Sequence, residues 1–243
     1  MMSSTGFIKE VQLFVEEYSP GAKWLVEKDY AVLFLNENNK TICFISNSKL
    51  DKLHTLNYRF YIIEHFWYKN TGASKSRLCS LMGHTKRIHA RQCILIRIDK
   101  KSASAFIDAY HIMGYAASYY NYGLFLKGEL VAVACFSKGR RMNRLPQDKK
   151  SFELIRFCNK NFYTVVGGLS KFIHHFEIEH MPGDIMTYVD IAWGQPSAYY
   201  TLGFVLDKIT PSVIRTIPQN DKAVIEFADM GNYKLIKYLN ESI

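Results

Sequence analysis

SFELIRFCNKNFYTVVGGLSKFIHHFEIEHMPGDIMTYVDIAWGQPSAYYTLGF, residues 151–204, is the stretch that decides the fold. Its apolar pattern reads as strand, glycine loop, helix, strand, short helix, strand. The pair Gly167-Gly168 falls where a strand hands over to a helix. Such a junction presents free backbone N–H groups and the positive end of the helix dipole, which together suit a phosphate-bearing cofactor. The pair Tyr199-Tyr200 follows just before Gly203-Phe204. A phosphate cradle with a proton donor nearby suggests group transfer.

Upstream of this stretch, SASAFIDAYHI (102–112) reads as an amphipathic helix. YNYGLFLKGELVAVACFSKG (121–139) reads as a hairpin turning at Lys127-Gly128, and a basic loop covers 139–150. Further out, FIKEVQLFVEEY (7–18) is a helix stopped by Ser19-Pro20-Gly21. AVLFLN and TICFIS form a hairpin about the turn Glu37-Asn38-Asn39-Lys40. LDKLHTLN (50–57) reads as helical and YRFYIIE (58–64) as a third strand. A basic helix covers about 74–82, and CILIRID (93–99) is a fourth strand. The character changes at Lys100-Lys101-Ser102, so the expected domains are 1–100 and 101–243. No internal repeat or low-complexity segment interrupts them. The expected class is α/β (α+β): a C-terminal mixed sheet flanked by helices, with a smaller N-terminal α/β domain.

The 243 residues are 48% hydrophobic and 22% charged, a globular composition with room for a real core. Apolar runs are strand length, well short of the roughly 20 residues a membrane helix needs, and the N-terminus lacks a signal-type apolar stretch. The expected location is the cytoplasm, away from membranes. Five cysteines (43, 79, 93, 135, 158) are scattered without a CxxC pair. They read as reduced core thiols, and no Cys/His spacing suits zinc. Net charge is +9, unevenly spread: residues 65–101 and 138–150 together carry +13, leaving −4 elsewhere. Lys75, Arg77, Lys86, Arg87, Arg91, Arg140 and Arg141 are the candidate contacts to a polyanion, nucleic acid first. A solvated basic face with no partner is the other reading.

The order helix, hairpin, strand, glycine loop, helix, strand, helix, strand over about residues 101–210 resembles the GNAT N-acetyltransferase superfamily. The resemblance implies an acyl-CoA cofactor, acetyl-CoA or another, between a splayed strand pair, with its pyrophosphate on loop amides. The cradle would comprise Val166, Gly167, Gly168, Ser170 and Lys171, with Arg156 nearby. Val165 stands where the family has Arg or Gln. Tyr199-Tyr200-Thr201-Leu202-Gly203-Phe204 is similar to the family's tyrosine-to-Gly-Phe ending, which makes Tyr199 the acid for a leaving thiolate. Both tyrosines read equally as core or rim aromatics. Glu153 is a candidate general base, with a salt bridge to Arg156 on the same face as its alternative.

His111-Ile112-Met113-Gly114, FELIRFCNK, VVGGLSK and TYVDIAW resemble a phage-associated GNAT-like group that includes Mom-type DNA-modification proteins and homing-endonuclease-like proteins. In that likeness His111 and Asp190 are partners for proton movement. Helix capping by each is the competing reading. Ile191-Ala192 departs from the two basic residues usual in the group. Residues from Tyr58 on resemble the end of a PD-(D/E)XK nuclease domain. The hairpin offers Ala31, Val32, Leu33 and Thr41, Ile42, Cys43 where metal-binding acids belong, so no nuclease activity and no metal are expected.

Three functions compete at this point. The first is acyl transfer to an amine, on DNA or another nucleic acid. The second is ordinary N-acetylation of a small molecule or protein, and the third is a non-catalytic DNA-binding remnant. GNAT-type proteins are often dimers, so a homodimer is the expected assembly.

Overall fold

The computed structural model describes residues 4–35, 40–218 and 223–239. The chain opens with helix α1 (Ser4–Tyr18) and strands β1 (Lys23–Val26), β2 (Tyr30–Leu35) and β3 (Lys40–Ile45). A 3-10 helix (Asn47–Lys52) leads to β4 (Phe60–Ile63), α2 (Glu64–Lys69) and α3 (Thr71–Met82). Strand β5 (Lys86–His89), a 3-10 turn (Ala90–Gln92), β6 (Ile94–Arg97) and α4 (Lys100–Tyr110) follow. Then come β7 (Tyr120–Leu126), β8 (Glu129–Phe136), β9 (Ser151–Asn159), β10 (Tyr163–Val166) and α5 (Gly168–His180). The last elements are β11 (Asp184–Asp190), α6 (Ser197–Tyr200), β12 (Val205–Ile209), β13 (Ile214–Pro218), β14 (Val224–Ala228) and β15 (Asn232–Tyr238). No described helix is long and apolar enough to cross a membrane.

Two compact units divide these elements. The first comprises Met1–His84, Val189–Gln195 and Ile209–Asn232; the second comprises Thr85–Tyr188, Pro196–Lys208 and Tyr233–Ile243. The sequence reading put a single cut near residue 100. Strand β6 explains the difference, because it pairs antiparallel with β7 (Ile94↔Phe125 to Arg97↔Tyr122) and so belongs to the sheet of the second unit.

In the first unit the sheet order is β1-β2-β3-β4, with β3 and β4 parallel. Both faces are covered, which is why YAVLFL and KTICFI run nearly continuous in apolar residues instead of alternating. One face packs Phe7, Val11, Phe14 and Val15 of α1 with Trp67 and Leu78 onto Leu33, Ile42 and Phe44. The other packs Val32, Cys43 and Tyr61 against Leu50, Leu53, Ile217 and Phe227. Each fully buried large apolar side chain contributes about 1.5–3 kcal/mol. The β2–β3 pairing is the expected hairpin; most of its turn, Glu37-Asn38-Asn39, lies outside the described residues. LDKLHTLN forms the end of the 3-10 helix and turns, not an α-helix.

The second unit is built on a seven-stranded mixed sheet, β12-β15-β11-β9-β8-β7-β6. Lys127 and Gly128 both take positive φ (51° and 84°), the geometry of a two-residue hairpin turn whose twist matches the strands. Helix α4 packs Ala103, Phe106 and Ile107 over Val133, Cys135 and Cys158. Phe136 alternates to the opposite face, where it stacks on Phe176 of α5 at 3.9 Å and 12°. The basic loop after β8 is pinned by Arg144, whose guanidinium donates to Asp184 at 2.5 Å. All five cysteines are free and buried.

Candidate active site

Strand β9 runs antiparallel to β8 on one side and parallel to β11 on the other. Its rungs with β11 run from Ser151↔Asp184 to Leu154↔Thr187 and stop there. Beyond that rung β9 continues to Asn159 on β8, and β11 continues to Asp190, so the two strands part. At the same level Phe136↔Leu154 is followed by Cys135↔Arg156, leaving Ile155 as an extra, bulged residue. Adjacent residues of β8 face opposite ways, so Leu154 and Arg156 do too. The bulge therefore puts Arg156 on the face of Glu153, which a regular strand would not do for residues three apart.

Tyr199 reaches this fork. Its phenol lies beside the Thr187 side chain, and Thr187 Oγ1 donates to the Leu154 carbonyl at 2.9 Å. Phe204 packs edge-on against the Tyr199 ring at 5.5 Å. Burial pushes the Tyr199 phenol up to about 12, with the neighbouring Thr187 hydroxyl opposing. The phenol is therefore protonated at neutral pH. Tyr200 is exposed, as befits the rim position.

The glycine junction lies where β10 meets α5. Gly167 caps the helix with φ 76° and Gly168 starts it. Sequence reading missed β10 as a strand. It pairs in parallel with β5, a partner some eighty residues away that no local pattern reveals. Val165 faces Ile88 in that pairing and is buried, which explains why no Arg or Gln stands there. An open groove of about 500 Å³ lies at this junction, lined by Val166, Gly167, Ser170, Lys171 and His174, with His89, Ala90 and Arg91 opposite. Of the expected cradle residues, Gly168 is buried and does not line the groove. Lys171 Nζ already donates to the carbonyls of Ala90 (3.0 Å) and Cys93 (2.5 Å), so it fixes the far wall of the groove. Arg91, expected as a nucleic-acid contact, is an exposed cation of that wall.

Arg156 does not line this groove. Its Nε donates to the Gly114 carbonyl at 3.0 Å and a terminal nitrogen to Ile155 O at 2.9 Å. It thus ties the His111–Gly114 turn to the bulge. His111 ends α4, and its Nδ1 accepts the Met113 N–H at 3.1 Å. Burial and then the Arg156 charge lower its pKa to about 4, which leaves it a weak base. Asp190 belongs to the other compact unit. There its Oδ1 accepts from Ala192 N at 2.8 Å, capping the turn that follows, and burial raises its pKa. The capping reading thus describes both residues. Glu153 is part-exposed, and its carboxylate has no hydrogen bond or ion pair among the described residues. Its charge acts on Arg156, opposing the burial that lowers the guanidinium.

The other basic candidates divide. In the first unit Arg77 donates to Trp193 O at 2.6 Å, and burial lowers its pKa to about 10. Lys75 sits 3.7 Å from Glu10 and over the rings of Phe14 and Trp67. Lys86, Arg87, Arg140 and Arg141 are exposed on the second unit. Among the described residues no group of three or more His, Cys, Asp or Glu could hold a metal.

Several solved structures similar to this chain are acetyltransferases. One is the ribosomal-protein-S18-alanine N-acetyltransferase from Escherichia coli, 15% identical over 62% of this chain and 98% of that one, TM-score 0.44. Another is a GNAT family acetyltransferase from Elizabethkingia anophelis with acetyl-CoA bound, 13% identical over 61% and 99%, TM-score 0.43. A third is a histone acetyltransferase HPA2-related protein from Corynebacterium glutamicum, 12% identical over 63% and 99%, TM-score 0.41. No protein-family model and no curated protein matches the chain.

Proposed function

We propose that the second unit is an acyl-CoA-dependent N-acyltransferase. The observation that carries this is the fork: β9 and β11 part after Leu154↔Thr187, with the Tyr199 phenol beside that rung. A slot between parting strands admits an extended thioester arm. The groove at the α5 N-terminus suits its pyrophosphate, since the first-turn N–H groups lack helical acceptors and favour anions. Gly167, Gly168 and Ser170 would hold that group through the backbone. Arg91 offers on the opposite wall the positive side chain that Val165 does not, with the His89 imidazole beside it. When bound, acyl-CoA supplies an activated acyl group.

The chain's own residues do the rest. The Tyr199 hydroxyl holds the proton that a departing thiolate needs. Glu153 takes a proton from the acceptor ammonium, directly or through water; His111 and Asp190 are committed to their turns. The bulge at Ile155 is assigned the backbone N–H that polarises the acyl carbonyl. Isothermal titration with acetyl-CoA tests the reading, and no detectable heat at millimolar concentration sinks it.

A nucleic-acid acceptor is the second reading, favoured by exposed Lys86, Arg87, Arg140 and Arg141. The phage-type, Mom-like likeness and the nuclease-like first unit belong to it. The hairpin of that unit carries buried Ala31, Leu33 and Ile42 in place of carboxylates. Binding to duplex DNA should then weaken steeply between about 50 and 200 mM salt. Salt-insensitive or absent binding leaves the small-molecule or protein acceptor. DNA binding without acetyl-CoA binding leaves the non-catalytic remnant.

A further inference from the structure

A second groove of about 410 Å³ opens beside the fork. It is lined by Ser118 and Tyr119 ahead of β7, by Ser137, Lys138 and Arg140 after β8, and by the bulged Ile155. Ile155 follows Leu154 directly, so the groove reaches the last rung of the β9–β11 pair.

Its lining has one chemical character. The Arg140 guanidinium is exposed and has no partner among the described residues, while its backbone is fixed by two hydrogen bonds with Ser151, each 2.9 Å. Lys138 Nζ stands over the Tyr119 ring at 5.9 Å and leaves its N–H donors to the groove. The buried Ser137 hydroxyl accepts the Glu153 N–H at 2.9 Å, and its own hydrogen has no acceptor among the described residues. No carboxylate lines the groove. Two cations and a hydroxyl donor, with an aromatic ring and an aliphatic side chain, match an anionic group on a small apolar body.

We infer that this groove is the acceptor subsite, and that the acceptor is a small amine carrying a carboxylate or phosphate. The inference rests on the acyl-transfer reading. The anion sits on Arg140, Lys138 and Ser137, and the amine reaches toward Glu153 and the fork. In the transfer the amine nitrogen forms the new bond to the acyl carbon and the thioester C–S bond breaks. The ammonium gives its first proton to Glu153 before attack, the Tyr199 proton goes to the sulfur, and the second nitrogen proton passes through water to the Tyr199 phenolate, so that Glu153 releases the one net proton to solvent.

Two measurements on the full chain test this. In the first, inorganic phosphate is titrated into the protein, and the backbone amides of Ser137, Gly139 and Arg140 are followed by NMR. Saturable shifts that vanish in Arg140→Ala are expected; shifts confined to the Gly167–Lys171 region overturn the subsite. In the second, acetyl transfer to amino acids and aminoalkyl phosphates is compared with transfer to their uncharged esters and alcohols. The anionic amines are expected to show KM at least tenfold lower. Arg140→Ala should raise that KM about tenfold with kcat held, and Arg140→Lys should recover part of the loss. Carboxylate and phosphate arms identify the source of the anion. Equal KM for charged and uncharged amines, or acetylation of oligonucleotides alone, overturns the inference. Phosphate shifts in the groove without any transfer instead count against the acyl-transfer reading.

Discussion

Thr187 Oγ1 donates to the Leu154 carbonyl at 2.9 Å, closing the last rung before β9 and β11 part. The Tyr199 phenol lies beside that rung, and burial keeps it protonated there. Tyr199→Phe should therefore lower kcat by about 10²-fold while leaving the Kd for acetyl-CoA within twofold. Because burial pushes the phenol to about 12, no alkaline loss of kcat from Tyr199 is expected below about pH 10. An unchanged kcat in Tyr199→Phe would remove Tyr199 from the chemistry.

The loop 139–150 is held by a lopsided ion pair. Asp184 is fully buried and accepts from Arg144 and Ser151, whereas Arg144 is one-third exposed. Removing the cation leaves a buried carboxylate with one neutral donor; removing the carboxylate lets the cation turn to water. Arg144→Met should cost about 3 kcal/mol in urea unfolding and Asp184→Asn about half of that. The reverse ordering would mean that the pair is not what pins the loop.

Much of the second unit was legible in sequence because its signals are local. Lys127-Gly128 in a hairpin and Gly167-Gly168 before α5 each announce an element at their own position. The position of Tyr199 just ahead of Gly203-Phe204 was legible too, from spacing alone. The far wall of the groove was not: β5 and β10 pair in parallel across about eighty residues, and such partners leave no periodic mark. Arg91 was seen as a cation but not as part of that wall. Thr187 carried no signal, since its role exists only where two strands part. His111 and Asp190 have the residue types of a proton relay, but the capping geometry of their turns claims them.

Arg77 tests how far a basic cluster in sequence translates into a binding face. Its guanidinium is committed to the Trp193 carbonyl at 2.6 Å and stands over Phe60 at 5.9 Å. Arg77→Met should lower the urea midpoint by an amount worth about 1–3 kcal/mol and leave retention on a DNA or heparin column unchanged. Arg87→Ala and Arg141→Ala, on exposed cations, should do the opposite and shift elution to lower salt without changing the midpoint. Earlier elution of Arg77→Met at wild-type stability would return Arg77 to the polyanion face.

His111 makes the second unit acid-sensitive. Its folded pKa, about 4, lies below the usual histidine value because burial and the Arg156 charge oppose protonation. The unfolded chain therefore binds the proton more readily, and stability falls as pH drops from about 6.5 toward 4. Between pH 7 and pH 5 this one group accounts for about 2 kcal/mol. His111→Asn keeps an acceptor for the Met113 N–H and removes the titration. Its melting temperature should fall less than that of the wild type over the same interval, with the two converging at acid pH. Parallel pH profiles for the two proteins would show that His111 is not the group responsible.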